Sequence, residues 1–341
     1  MKAYDKNFYE RNFGIVAPMV RGLLEEHDKA MDFSVAMDAQ PSLVTQSNGG
    51  IPAFLTNYLD PDVIRILTTP NNATKILSEV KKGDWTTQTA MFPVVESTGE
   101  VSSYGDFNEN GQANVNVNWV NRQSYLSQTM TQWGELELDR AGEARINWAA
   151  NLNIASALLL DKFQNASYFF GIDGLDNYGL LNDPSLPASI SPTTGVAGNT
   201  WALKTAAEIY NDFVALWEQM QTQLRGIVDR EVKIVFATSP TAEANLTKTN
   251  QYNVNVTDQI KKNFPNARIE TAVQYDLPAG TLVQMIVEEI EGEPTAYCGF
   301  NEKMRAHPVV VGASSFKQKK TSGTWGTIVR RPIAIASMIG I

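Results

Sequence analysis

The residues able to do chemistry in this chain are few. Among 341 residues there are two histidines, His27 and His307, and one cysteine, Cys298. That count argues against a multi-histidine metal site or a histidine-based triad. His27 lies among acids and His307 precedes a proline, and neither has an evident partner in the sequence. Cys298 sits in Ala-Tyr-Cys-Gly-Phe. This apolar, strand-like setting suits a buried structural thiol, because a nucleophilic thiolate needs a positive neighbour. Glu288, Glu289, Glu291 and Glu293 cluster near one strand end and could supply an acid pair for glycoside chemistry. The plainer reading is a solvated acidic edge that discourages sheet aggregation. Asp173 and Asp176 suggest a calcium loop, but the twelfth position counted from Asp173 is Pro184, where a liganding acid is required. Lys317, Lys319, Lys320, Arg330 and Arg331 could touch nucleic acid, or be an ordinary charged surface. No P-loop, His-Glu-x-x-His, paired Cys-x-x-Cys or nucleophile elbow occurs. The three glycines of 171–179 follow a helical pattern rather than a strand, which excludes a dinucleotide fingerprint. No catalytic, cofactor-binding or metal-ligating set is expected, and the chain does not read as an enzyme.

Composition narrows the class. The chain is 43% hydrophobic and 19% charged, with a net charge of −9. These are globular values, and the acidic excess opposes a dedicated DNA-binding role. One cysteine forbids an intrachain disulfide and suits a reducing compartment. No run of about 18 apolar residues occurs, so no membrane-spanning helix is expected.

The elements that would position any site are unusual. Residues 1–50 have little apolar surface of their own and read as an arm, with a short amphipathic helix at 16–31. Residues 71–83 read as a helix capped by Asn72 and stopped by Gly83. Residues 113–119, Ala-Asn-Val-Asn-Val-Asn-Trp, alternate strictly, with Ala113, Val115, Val117 and Trp119 on one face. A Thr- and Val-rich run at 85–104 precedes them, and Asn108-Glu109-Asn110-Gly111 lies between as a hairpin-turn signal. The two runs predict a long ribbon, which is not stable alone in water and needs another surface. Residues 135–170 switch to helical period and predict one Ala-rich helix of roughly 25–30 residues, ended by Gly171. Residues 203–227 form a strongly amphipathic helix, and 186–200 a connector. A mixed block follows, with strands near 232–237, 269–273, 282–287, 309–311 and 327–335 and short helices near 242–247 and 258–264. Protrusions with no core of their own are what inter-subunit contacts require.

In this order the elements resemble the major capsid proteins of tailed bacteriophages, with the Hong-Kong-ninety-seven-type coat fold. Three features carry the resemblance. One is the succession of arm, ribbon 85–122 and spine helix at about 141–170. Another is the loop Tyr178-Gly179-Leu180-Leu181-Asn182-Asp183-Pro184 directly after that helix. The third is the strand Ile234-Val235-Phe236 running into Ser239-Pro240 and a helix.

The resemblance implies an α+β coat fold. It would comprise an N-terminal arm (1–50), a connection to the peripheral domain (51–84) and an extended β-ribbon loop (85–122). A peripheral domain with the spine helix (123–199), an axial domain (200–270) and return strands of both domains (271–341) would follow. It implies a shell protein that self-assembles as hexamers and pentamers into an icosahedral virion capsid around double-stranded DNA, made in the host cytoplasm. Partners would include separate scaffolding, portal or decoration proteins, with weak non-specific contact to DNA, and no membrane. An encapsulin-like compartment with an enzyme cargo is the alternative. Candidate interface residues on the ribbon are Met91, Phe92, Val94, Val115, Val117 and Trp119. Residues 1–60 are too short and broken for a long helical scaffolding segment, so a separate scaffold or none is implied, and Met1 leads to the expectation of an unprocessed chain. No lysine lies within 85–122, so no lysine cross-link is expected at the ribbon tip.

Overall fold

A computed structural model describes residues 70–107, 109–144 and 146–341. The expectations for the arm at 1–50, for 51–69, for His27 and for Asn108 lie outside them.

The chain enters through a single helical turn, α1 (Ala73–Ile76), and the short strand β1 (Glu79–Lys81). The helix expected over 71–83 is therefore cut to one turn. Asn72 does not cap it. Its Nδ2 donates to the Thr271 carbonyl at 2.6 Å, and the chain turns extended at Leu77 to pair as β1 with residues 298–300. Then come β2 (Thr89–Gly99) and β3 (Ala113–Gln123), antiparallel in unbroken register from Thr89 opposite Gln123 to Gly99 opposite Ala113. The pairing ends at Gly99 and Ala113, so Asn110-Gly111 is not the two-residue hairpin turn its sequence suggests. β4 (Tyr125–Gly134) follows after Ser124 alone.

The expected spine helix is divided. α2 (Glu135–Glu143) ends at Ala144, and α3 (Trp148–Phe170) restarts where the Asn147 side chain accepts from the Ala150 N–H at 3.2 Å. Gly142 and an N-capping asparagine inside one helical pattern are the local cause. α3 is 23 residues long, and its C-terminal half is buried.

The remaining elements are α4 (Ala206–Leu224), β5 (Ile234–Thr238), α5 (Pro240–Asn245), α6 (Val256–Asn263), β6 (Ala267–Thr271), β7 (Asp276–Leu277) and β8 (Gly280–Val287). They are followed by β9 (Glu289–Ile290), β10 (Glu293–Pro294), β11 (Ala296–Ala306), β12 (Val310–Val311), β13 (Ser315–Val329) and β14 (Ile335–Ile339). The strand-like run expected at 327–335 is broken by a turn at Pro332–Ala334, so β13 and β14 join different sheets.

Two five-stranded sheets result. One has the order β1-β11-β13-β12, with β4 lying along the other edge of β13. The other runs β14-β8-β5-β6, with β7 on β8. Its central strands are buried on both faces, which is why Ile234 to Ala237 read as a continuous apolar run. Val235, Ala237 and Ile286 face the end of α3, whereas Ile234, Phe236, Val283 and Met285 face α4 and α6. α4 carries one acid on its buried face, Asp212. It accepts from Lys204 Nζ at 2.5 Å, Trp201 Nε1 at 2.9 Å and Thr193 N–H at 2.9 Å, which ties the connector to the helix.

Candidate functional site

The ribbon's geometry follows from its register. Residues directly opposite in an antiparallel pair point to the same face. Met91, Pro93, Val95, Ser97 and Gly99 therefore share a face with Asn121, Trp119, Val117, Val115 and Ala113. That face is largely apolar and open to solvent: Met91 is 65% exposed, Val95 61% and Trp119 57%. The opposite face carries Ala90, Phe92, Val94, Glu96 and Thr98 against Arg122, Val120, Asn118, Asn116 and Asn114.

Of the six expected interface residues, the register brings Met91, Val115, Val117 and Trp119 together. It places Phe92 and Val94 on the other face. Phe92 is partly buried against the Tyr297–Trp325–Ile328 cluster of its own chain, together with Ala90 and Val80. Sequence reasoning missed Val95 and Pro93. In Met-Phe-Pro-Val-Val the apolar residues do not alternate, so only the register against the alternating β3 assigns their faces. It also missed the tip, where Val101, Tyr104 and Phe107 project into solvent, and the exposed Trp148, Ile154 and Leu158 on the first half of α3.

The root of the ribbon is fastened rather than free. Arg122 pairs with Asp183 at 3.0 Å and stacks over the Tyr178 ring at 4.8 Å. The Gln123 N–H donates to the Asp176 carbonyl at 3.0 Å, and Asn177 Nδ2 donates to the Gln123 carbonyl at 3.0 Å. A cavity of about 330 Å³ lies beside this root, lined by Gln88, Gln123, Ser124 and Leu175 among others.

The receiving loop, 171–184, is built to close α3. The last four carbonyls of a helix lack intrahelical donors. Here Ser167 accepts from the Gly171 N–H at 2.8 Å, Tyr168 from Leu180 at 2.8 Å and Phe169 from Leu181 at 3.0 Å. Phe170 accepts from Asn182 Nδ2 at 2.5 Å. The loop lies so close to the helix that a Cβ on Gly179 would sit 2.2 Å from the Phe169 carbonyl carbon. The Gly-Leu-Leu-Asn-Asp run thus has separate tasks: glycine for close approach, two backbone donors, an asparagine cap and a carboxylate for the ribbon.

The other chemistry-bearing residues are engaged structurally. Glu288 takes Arg268 Nε at 2.6 Å. Glu291 and Glu293 lie 3.8 and 3.7 Å from Arg331, so the acidic edge is answered by part of the basic patch. Lys320, expected in that patch, points inward instead and donates to Asn153 Oδ1 at 2.8 Å and Ser156 Oγ at 2.6 Å. Lys317 and Lys319 remain exposed. Burial pushes the Cys298 thiol up, away from the reactive thiolate. His307 Nε2 lies 3.0 Å from Thr321 Oγ1 and edge-on to Trp85. Among the described residues no three His, Cys, Asp or Glu side chains group as a metal site, and no helix is long and apolar enough to cross a membrane. What the arrangement offers is a rooted apolar arm.

The family model described as "Pa193 gp26 major capsid protein" matches residues 42–340. No curated protein sequence matches the chain. Among solved structures, the capsid of Myoviridae phage XM1 is 15% identical with a TM-score of 0.72, over 86% of this chain and 100% of that one. The capsid of a native GTA particle is 12% identical with a TM-score of 0.59, over 89% and 98%. A Gordonia phage Cozz chain is 12% identical with a TM-score of 0.53, over 89% and 98%. These likenesses show the phage coat fold.

Proposed function

The chain belongs to the Pa193 gp26 major capsid protein family, and from that membership we propose that many copies self-assemble as hexamers and pentamers into a closed shell around double-stranded DNA. The ribbon, residues 85–122, lies over an adjacent subunit and buries its apolar face there. α3 with the sheet of β1, β4, β11, β12 and β13 forms the peripheral domain. α4, α6 and the sheet of β5, β6, β8 and β14 form the axial domain, which faces the five- and six-fold centres. The shell forms in the host cytoplasm, with separate scaffolding, portal or decoration proteins as further partners.

The observation that carries this reading is the face of Met91, Val95, Val115, Val117 and Trp119. It is apolar, continuous and uncovered in one subunit. Burying a few hundred Å² of it at roughly 25 cal/mol per Å² contributes several kcal/mol before ordering costs. A modest contact of this kind stays reversible, yet a closed lattice repeats it in every subunit. The net charge of −9 fits a container whose contact with DNA is weak and non-specific.

Expression of the chain alone, followed by electron microscopy and a light-scattering mass, tests the proposal. Closed shells, or rings of five and six subunits, are the expected result. A monodisperse monomer at micromolar concentration that salt and crowding do not assemble would contradict it.

A further inference from the structure

A two-stranded ribbon standing away from its domain has two open backbone edges, and exposed edges pair with other chains. The register shows which groups are at risk. The Glu100 N–H donates to the Gln112 carbonyl at 2.9 Å at one end, and the Ser124 N–H to the Gln88 carbonyl at 2.8 Å at the other. Even-numbered residues of both strands therefore occupy the hydrogen-bonded pairs. Odd-numbered residues turn their N–H groups outward. On β3 these are Ala113, Val115, Val117, Trp119 and Asn121.

Two of those five are already taken by side chains of the same strand. Asn114 Oδ1 accepts from the Val115 N–H at 2.9 Å, and Asn118 Oδ1 accepts from the Trp119 N–H at 2.8 Å. An incoming strand bonds every second residue. With Val115 and Trp119 occupied, no two successive outward donors on β3 remain open. β2 is protected by another means at its base, where Pro93 occupies an outward position and has no N–H to offer. Its distal stretch, Val95 to Gly99, contains Glu96 and is followed by Glu100, so a second copy pairing there would bring like charges alongside.

We propose that Asn114 and Asn118 are edge guards: they occupy the outward backbone donors of β3, prevent ribbons of separate copies from adding to one another as strands, and so leave the apolar face as the docking surface. This assigns a physical task to the asparagine alternation that the fold itself does not require. The guard stands on the hydrogen-bond geometry alone. Only the final clause rests on the reading of the ribbon as an inter-subunit arm.

Asn116 provides the internal control. It lies between the two guards on the same exposed face, and among the described residues no side chain caps the outward N–H of Val117. Asn114→Val, Asn118→Val and Asn116→Val make the same change in hydrophobicity, but only the first two uncap a donor. In unassembled wild-type subunits, amide exchange at Val115 and Trp119 should be about fivefold slower than at Val117, after correction for intrinsic rates. That is the size a single net hydrogen bond supports. Asn114→Val and Asn118→Val should each abolish the protection at their own neighbour and promote thioflavin-positive aggregates with a strand spacing of about 4.7–4.8 Å. Asn116→Val should do neither. Equal exchange at all three amides in the wild type, a comparison that needs no variant, would overturn the guard. So would aggregation by Asn116→Val as readily as by the other two. Failure of the wild-type chain to form shells, with the exchange difference intact, would overturn the inter-subunit reading and leave the guard standing.

Discussion

Arg122, on the strand that returns from the ribbon, meets Asp183, in the loop that closes the spine helix, at 3.0 Å. Their side chains are 9% and 0% exposed. The pair joins the projecting ribbon to the loop that follows the buried end of α3. Asp183 is held in turn by the Ser185 N–H at 2.9 Å and Ser185 Oγ at 2.6 Å, and Arg122 by the Tyr178 ring. The angle at which the ribbon leaves the domain is thus set by the loop.

Removing one partner of this pair leaves a buried charge uncompensated. Asp183→Ala should destabilise the unassembled subunit by roughly 3–5 kcal/mol. It should also speed proteolysis within 89–123. Replacing both residues by apolar ones of similar volume should recover much of the stability. Urea denaturation of the two variants measures the difference, and a double variant as unstable as the single one would contradict the assignment.

Gly179 and Gly142 should respond oppositely to alanine. A Cβ at Gly179 collides with the Phe169 backbone, whereas one at Gly142 in α2 meets nothing within 4 Å. Gly179→Ala should cost ~3 kcal/mol, at the upper end of ordinary single substitutions. Gly142→Ala should stabilise by roughly 0.5–1 kcal/mol through helix propensity. Thermal midpoints of the two variants compare them directly.

Glu208, in the first turn of α4, should make that helix's N-terminal cap acid-sensitive. Hydrogen bonds from the Thr205 and Val196 backbone N–H groups, and from the Thr205 hydroxyl, lower its carboxyl from 4.5 to about 2. A depressed folded-state value means that the stabilisation is fully present above about pH 4.5 and lost as pH falls through about 2. Glu208→Gln should flatten the fall of the thermal midpoint across that window and leave the profile above it unchanged. An unaltered profile between pH 4.5 and 2 would count against the capping box.

The ribbon's two faces should separate assembly from folding. Trp119→Asp and Val117→Asp place a charge on the apolar face and should abolish shell formation with little change in subunit stability, because neither side chain is buried. Glu96→Lys on the opposite face should assemble nearly as the wild type does. Sedimentation of assembly mixtures reports both outcomes, and shells formed by Trp119→Asp would argue against docking through this face.

Much of this architecture is legible in the sequence where periodicity is strict. The alternation of 113–119 marks β3, and the three- and four-residue steps of 206–224 mark α4. The spine helix was legible as helix but not as two pieces, because Asn147 acts as a cap only once Ala150 is in place. The one-turn α1 was not legible, since Asn72 finds a distant carbonyl at Thr271 instead of its own helix. β4 has a poor apolar pattern and owes its form to pairing with β13. On the ribbon, four of six interface candidates share a face. Val95 was missed because it adjoins Val94 and only cross-strand register tells the two apart. The loop Gly179–Asp183 was recognisable as a motif, but its tasks depend on carbonyls that belong to α3.

In the assembled shell the ribbon's apolar face should be covered by a neighbouring subunit. Oxidative footprinting of Met91 and Trp119 tests it most directly, in free subunits and in purified shells of the same chain. Both residues should label readily in free subunits and should lose most of that labelling in shells, while Tyr252, exposed between α5 and α6, serves as a reference. Closed shells in which Met91 and Trp119 label as strongly as in the free subunit would contradict the account.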